Sequence, residues 1–338
     1  SAASPATLPP DGLPGLDAAW SRLITCDDGD GIQRTWHVLD NQVHNPRVTV
    51  LAVHGNPTWS YLWSRLFHEL NEKFRVIAPD HLSMGFSDQV GPRRYRDRVA
   101  DINDFVNALG ITGPIWLVAQ DWGGAIAMGY AVAHPERVAG LVLSNTGIAV
   151  PVGRKAPRLI QISASGGLHR TITRNTSLFV RGTAFLPGAG LSKQQRQGLV
   201  APYVNRTQRD GIAGFVADVP FNDKHESFGD IAEVAAQLLN LNVPVRLWWG
   251  AKDPVFNDDF ADDLIKRFSD VQIHRVASSG HLAVLETSIA TFVENAISQS
   301  QLVNSQGVVA TEITESLWSR IESPSRQNTL AIYDGADK

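Results

Sequence analysis

Val118-Ala119-Gln120-Asp121-Trp122-Gly123-Gly124 joins an apolar strand pattern, Ile115 to Ala119, to an apolar helical run through a carboxylate and two glycines. A charged side chain is thereby placed where a strand ends and a helix begins. So tight a turn needs small residues two before and two after its central residue, because the two backbones approach there, and Ala119 and Gly123 fill those places. The pattern fits Asp121 as a nucleophile presented at a strand end. It equally fits an aspartate capping a helix, which needs no chemistry. The surrounding chain decides.

Toward the N-terminus, Thr35 to Leu39 and Val48 to Val53 read as short strands, the second running into His54-Gly55-Asn56-Pro57. Ser60 to Leu70 has helical spacing, and Arg75 to Ala78 reads as a buried strand before Pro79-Asp80-His81. Val99 to Leu109 gives an amphipathic helix stopped by Gly110. Beyond Asp121, Gly124 to Ala133 carries a helix ending near Pro135, and Leu141 to Leu143 closes the run as a strand. From Gly147 to about Phe228 the alternation fails, and Gly, Arg, Thr, Ser and Pro separate short helical patches, as expected of an inserted lid. The rhythm then resumes. Val245 to Trp249 is a strand before Gly250-Ala251-Lys252-Asp253-Pro254, Asn257 to Phe268 a helix, and Val271 to Val276 a strand leading to Ser278-Ser279-Gly280-His281. Leu282 to Ile297 is expected to carry the final helix.

This alternation predicts an α/β fold with a mostly parallel, doubly wound sheet that binds ligands outside the carboxyl ends of its strands. The expected division is a flexible N-terminal segment over 1–17, a core over 18–146 plus 229–300, a helical cap over 147–228, and a linker with the start of a further domain over 301–338. No internal repeat is present.

Composition removes several function classes. The 338 residues are 43% hydrophobic and 19% charged, a globular balance, and the net charge of -4 comes with no Lys/Arg cluster on an aromatic platform. Nucleic acid is therefore not an expected partner. Cys26 is the single cysteine, which excludes an internal disulfide and a thiolate metal cluster and makes the cytoplasm the default compartment. Ten histidines are scattered without ligand spacing, so neither a metal nor another cofactor is implied. Ser1 to Gly15 lacks both a basic start and a long apolar run, so it is read as neither a signal peptide nor a membrane span.

Asp121, Asp253 and His281 occur in the order nucleophile, acid, histidine, each beyond a predicted strand. Singly, Asp253 before a proline is an ordinary turn residue and His281 after a glycine an ordinary surface histidine. Together they supply a nucleophile, a base that titrates near neutrality and a carboxylate to fix its tautomer.

With these residues the chain resembles α/β-hydrolases of the haloalkane dehalogenase family over about residues 18 to 300. The resemblance rests on His54-Gly55-Asn56-Pro57-Thr58-Trp59-Ser60-Tyr61-Leu62-Trp63, on Gln120-Asp121-Trp122-Gly123-Gly124 and on Gly280-His281. It implies that Asp121 is the nucleophile, His281 the base and Asp253 its acid partner. It further implies a leaving-group or halide cradle made by the Asn56 amide and the Trp122 indole N–H, two uncharged donors able to stabilise a departing anion. The backbone N–H groups of Asn56 and Trp122 would form the oxyanion hole. Some members of the family place the acid after the preceding strand, but Leu143-Ser144-Asn145-Thr146 holds no carboxylate.

An aspartate nucleophile attacks saturated carbon or a strained ring, which argues against a simple esterase. Epoxide hydrolases draw two tyrosines from the lid, whereas this lid holds only Tyr203. Past the last helix, Gln301 to Gly307 reads as a polar linker. Thr314-Glu315-Ser316-Leu317-Trp318-Ser319-Arg320-Ile321 then reads as a helix with a capping box, and Thr329 to Gly335 as a strand and turn. This tail looks like the opening of an adenylate-forming domain. A dehalogenase-like unit so joined resembles the β-lactone decarboxylase of bacterial olefin biosynthesis, which is sometimes fused to its β-lactone synthetase. The resemblance implies conversion of a cis-3,4-dialkyl-oxetan-2-one to a cis-olefin and CO2, with a fused or associated synthetase as partner. Hydrolytic dehalogenation of alkyl halides is the alternative and epoxide hydrolysis a distant third. In either leading case the partner is a small hydrophobic substrate, and apolar stretches of the lid such as Ala184-Phe185-Leu186-Pro187 and Phe215 to Phe221 are expected mainly to pack it onto the core.

Overall fold

The computed structural model describes residues 4–156, 161, 168–186, 188, 190–304 and 331–333. Among the described residues nine strands form one sheet in the order β8-β7-β6-β5-β3-β4-β2-β1-β9. They are β1 (Ser21–Asp27), β2 (Gln33–Asp40), β3 (Val48–Val53), β4 (Phe74–Pro79), β5 (Ile115–Gln120), β6 (Val138–Ser144), β7 (Val245–Gly250), β8 (Val271–Val276) and β9 (Ala331–Tyr333). From β3 to β8 every pairing is parallel, while β2 joins β4, and β1 joins β2 and β9, antiparallel. A parallel sheet covered on both faces must bury both sides of its strands, and β5 and β7 are buried at every residue.

Register brings the loops together. Val53 of β3 lies opposite Ala119 of β5, Gln120 opposite Ser144 of β6, and Gly250 of β7 opposite Val276 of β8. The chain therefore leaves these strands at one edge of the sheet, at His54, Asp121, Asn145, Ala251 and Ala277. That edge is the carboxyl-end crevice expected from the alternation.

Helices α1 (Ser64–Glu69), α2 (Tyr95–Ala108) and α3 (Trp122–Ala133) follow β3, β4 and β5. Between β6 and β7 the described residues hold only helices, including Leu178–Thr183, Lys193–Val200, Asp210–Ala217 and Phe228–Gln237.

Several expectations are corrected. The segment read as a flexible lead-in is tied down: Ala6 N–H donates to Asp88 at 2.7 Å, Tyr61 Oη–H to the Pro14 carbonyl at 2.6 Å, and Leu13 and Leu16 pack on the core. The strand Ser21–Asp27 was not expected, because polar residues such as Ser21, Arg22 and Thr25 interrupt its apolar pattern, although none of its residues is exposed. Helix α2 starts a turn earlier than its apolar spacing suggests, since Arg98 is buried and breaks the outward pattern of charge. Ser60–Trp63 is a 3-10 turn leading into α1 rather than one continuous helix, its Ser60 N–H held by Asp80 Oδ1 at 2.7 Å. The final helix is two pieces, Ala283–Glu286 and Ala290–Asn304, parted where Thr287 turns extended and its hydroxyl bonds the Ala283 carbonyl at 2.8 Å. The second piece includes Gln301 to Asn304, the first residues of the expected linker. Ala331–Tyr333 falls within the expected terminal strand and pairs with β1, whereas the helix read from Thr314 lies outside the described residues.

Candidate active site

Asp121 sits between β5 and α3 at φ 55° and ψ -132°, a conformation costly for any residue with a Cβ. The surroundings leave no room for another path. A Cβ on Gly123 would run into the carbonyl oxygens of Val53 and His54, and one on Gly124 into Thr146. Gly55 is equally constrained, because a Cβ there would strike the Asp121 side chain. The Asp121 N–H donates to the Asn145 carbonyl at 3.1 Å, and Thr146 Oγ1–H to the Asp121 carbonyl at 2.5 Å. Both partners belong to the loop after β6.

Around this carboxylate the structure gathers the residues singled out in the sequence. The Asn56 N–H donates to Asp121 Oδ1 at 2.8 Å, and a backbone hydrogen bond from Trp122 likewise favours the ionised form. His281 Nε2 stands 3.6 Å from Asp121 Oδ2, and its Nδ1 is 2.9 Å from Asp253 Oδ2. Asp253 is itself held by the Val255 N–H on Oδ1 at 2.7 Å. Asp121, Asp253 and His281 are all buried. Both N–H groups expected to form an oxyanion hole thus already point at the Asp121 carboxylate.

Asn56 and Trp122, the pair expected to hold a leaving group, follow Gly55 and Asp121 directly in the chain. The Asn56 amide donates to the Ile212 carbonyl at 3.4 Å, while its Oδ1 has no hydrogen-bond partner among the described residues. Trp122 packs with its ring 5.6 Å from that of Phe215, on the helix Asp210–Ala217. That helix is pinned from the core side, for the buried Arg98 guanidinium lies 3.5 Å from the Phe215 ring centre. Tyr203 does not face the carboxylate: its hydroxyl donates to the Thr58 carbonyl at 2.6 Å and accepts from the Gly85 N–H at 3.1 Å.

Electrostatics separate Asp121 from His281. Burial pushes the Asp121 carboxyl up, and His281 with the two backbone donors only partly offsets this. Burial alone would lower His281, but the Asp253 carboxylate, its hydrogen bond and Asp121 outweigh it and raise the imidazole to about 9. The acidic side chains on either side of His281 thus favour its charged form. A histidine raised on folding contributes stability that is whole below its ordinary value of 6.5 and lost as pH rises through about 9. Denaturant unfolding is expected to show a loss on the order of 2 kcal/mol across that window. In Asp253→Asn the loss shrinks, because the main group raising the imidazole is gone.

Other contributors were not singled out in the sequence. Gln120, wholly buried, donates from Nε2 to the His281 carbonyl at 2.9 Å and lies 3.3 Å from its Nε2. An amide ending an otherwise apolar strand was the available signal. Glu286 accepts the Gly280 N–H at 3.0 Å, so the short helix Ala283–Glu286 braces the loop carrying His281. Asn145 bridges β6 to β7, donating to the Gly250 carbonyl at 3.0 Å and accepting its N–H at 2.8 Å. Among the described residues no cluster of three or more His, Cys, Asp or Glu has the geometry to hold a metal ion.

Comparison with known proteins fits this geometry. Residues 48–288 match the family described as alpha/beta hydrolase fold. The cis-3-alkyl-4-alkyloxetan-2-one decarboxylase of Shewanella oneidensis is 29% identical over 276 residues, spanning 79% of this chain and 87% of that protein. Its namesake from Xanthomonas campestris pv. campestris is 31% identical over 267 residues, 72% of this chain and 88% of that protein. Haloalkane dehalogenase 2 of Mycobacterium tuberculosis is 38% identical over 112 residues, 32% of this chain and 38% of that protein. Among solved structures, the haloalkane dehalogenase DpaA from Paraglaciecola agarilytica superposes with a TM-score of 0.74 at 21% identity, over 87% of this chain and 98% of that one, which is a likeness of fold.

Proposed function

The chain belongs to the alpha/beta hydrolase fold family, and from that premise we propose that it is a β-lactone decarboxylase converting cis-3,4-dialkyl-oxetan-2-ones to cis-olefins and CO2. The observation that carries this reading is the length of the likeness. Both decarboxylases match across more than four fifths of their own length, whereas the dehalogenase matches across 38% of its own.

In the proposed reaction an Asp121 oxygen attacks the alkyl carbon bearing the ring oxygen, and the carbon–oxygen bond of the lactone breaks. The ring oxygen then belongs to a free carboxylate on the neighbouring carbon. Loss of CO2 from that carbon supplies the electron pair of the double bond while Asp121 departs with its oxygen. Attack with inversion followed by anti elimination retains the cis arrangement of the alkyl groups. No water is consumed. The Asn56 amide and the Trp122 indole supply N–H donors to the developing carboxylate, and the charged His281 orients and stabilises Asp121 each time it leaves.

Under this reading residues 147–228 form a cap over the carboxyl-end crevice, and the alkyl chains lie between that cap and the core. A β-lactone synthetase, joined to the chain or acting beside it, supplies the substrate. A single buried cysteine accords with a cytoplasmic enzyme.

The second reading, dehalogenation, is favoured by the 38% identity to the mycobacterial dehalogenase. There Asp121 displaces halide and His281 activates the water that cleaves the ester. The raised His281 does not forbid this, because esterification removes the Asp121 charge, one of the groups that raise the imidazole after Asp253, and so shifts it back toward the neutral base. The hydroxyl bonds of Tyr203 leave it unavailable to an epoxide oxygen, which lowers the third reading.

Single turnover of a β-lactone in heavy-oxygen water tests the route. The expected result is an unlabelled Asp121, and label in its carboxylate would contradict a route that uses no water. A panel of alkyl halides turned over readily while β-lactones are inert would overturn the reading as a whole.

A further inference from the structure

Charge is divided unevenly along this chain. Residues 147–228 hold eleven Lys and Arg against four Asp and Glu, a formal +7 within a net charge of -4, which leaves -11 for the rest. Exposed apolar side chains follow the same division. Of the eleven large hydrophobic residues exposed among the described residues, eight fall in this segment, led by Val152 at 94%, Val204 at 78%, Phe185 at 68% and Leu178 at 67%. The segment makes up about a quarter of the chain, so even scatter would give it two or three.

The two features meet at one place. A shallow surface groove of about 320 Å³, bordered by the helices Leu178–Thr183 and Lys193–Val200, is lined by Arg181, Phe185, Lys193, Arg196 and Val200 among others, and no carboxylate lines it. The Arg196 guanidinium lies 4.3 Å from the centre of the exposed Phe185 ring. Leu178 precedes Arg181 by three residues on one helix, so the two share a face. Cations set around protruding apolar side chains suit a lipid interface, where phosphate headgroups meet the charges and the acyl boundary takes the apolar tips. The surplus of acid elsewhere repels the same surface and favours approach by this side.

We infer that the helices Leu178–Thr183 and Lys193–Val200, with Phe185 between them, form a docking face for an anionic phospholipid bilayer, with Leu178 and Phe185 entering the interface and Arg181, Lys193 and Arg196 on the headgroups. The attachment is peripheral, for no helix among the described residues is long and apolar enough to cross a membrane. It stands on charge and exposure and does not depend on the bond that Asp121 attacks.

Sedimentation of the full chain with vesicles tests it. At low salt, partition onto vesicles of phosphatidylglycerol and phosphatidylcholine in equal parts is expected to exceed partition onto pure phosphatidylcholine by roughly tenfold or more, and to fall as salt rises. Each basic residue near an anionic leaflet is worth about fivefold in partition, so Arg181→Glu with Arg196→Glu should lower binding more than tenfold. Phe185→Ser should weaken it while leaving its salt dependence. Unchanged turnover of a short-chain soluble substrate by these variants shows that they are folded. Equal binding of the unaltered protein to both vesicle types, or binding to neither, overturns the inference, as would undiminished binding by the charge-reversed variant. A face meant for an acidic protein or a nucleic acid would give one of those results.

Discussion

Replacing Asp121 with Asn is expected to abolish turnover of β-lactones and alkyl bromides alike, by roughly 10⁴-fold or more. Every route proposed for this site begins with a bond to the Asp121 carboxylate, and an amide is a far poorer nucleophile. The fold should survive. Asn tolerates positive φ better than most residues, and its amide oxygen can keep the Asn56 N–H that now lies 2.8 Å from Oδ1. Stability should even rise. Burial raises the Asp121 carboxyl, so ionisation is disfavoured in the folded chain and costs stability at pH values above its folded value. A neutral isostere removes that cost, and a gain of roughly 1 kcal/mol in chemical unfolding is expected. Activity and unfolding measured on one preparation check both halves: loss of both would mean that Asp121 is needed for structure, and retained turnover would mean that it is not the nucleophile.

His281→Gln has the second largest expected effect, and it differs between the two reactions. On the water-free lactone route His281 places and stabilises Asp121, so its loss should slow olefin formation by roughly 10² without stopping it. Hydrolysis of an alkyl-enzyme ester, in contrast, needs a base at this position. With an alkyl bromide the variant should release one bromide per site and stall, and intact-mass spectrometry should find the alkyl group on the protein. A lactone adduct released only with uptake of oxygen from labelled water would show that water takes part in its turnover. The same variant removes the titrating imidazole, so the stability lost between 6.5 and about 9 should vanish with it.

Much of this site was legible because it lies where simple patterns are strong. The parallel strands around Asp121 are apolar on both faces, and Val48–Val53 and Val271–Val276 have the bounds that their β-branched residues suggested. The loops after them carry the polar residues, so Asp121, Asp253 and His281 could be found by position and order. What escaped was polar detail inside the core. Gln120 and Arg98 are buried, and a polar residue in an apolar stretch does not announce whether it faces solvent or a partner. The hold of the N-terminal segment also escaped, because it rests on backbone groups such as the Pro14 carbonyl, which no side-chain pattern encodes. The division of charge between residues 147–228 and the rest was present in the composition, but net charge over the whole chain conceals it.

Asp121 is proposed to open a β-lactone, from which CO2 then departs. Incubation of the purified protein with a synthetic cis-3,4-dialkyl-oxetan-2-one, followed by gas chromatography of the organic products and the headspace, tests it directly. The account predicts a cis-olefin and an equal amount of CO2, neither formed by Asp121→Asn, whereas a β-hydroxy acid with no olefin would contradict it.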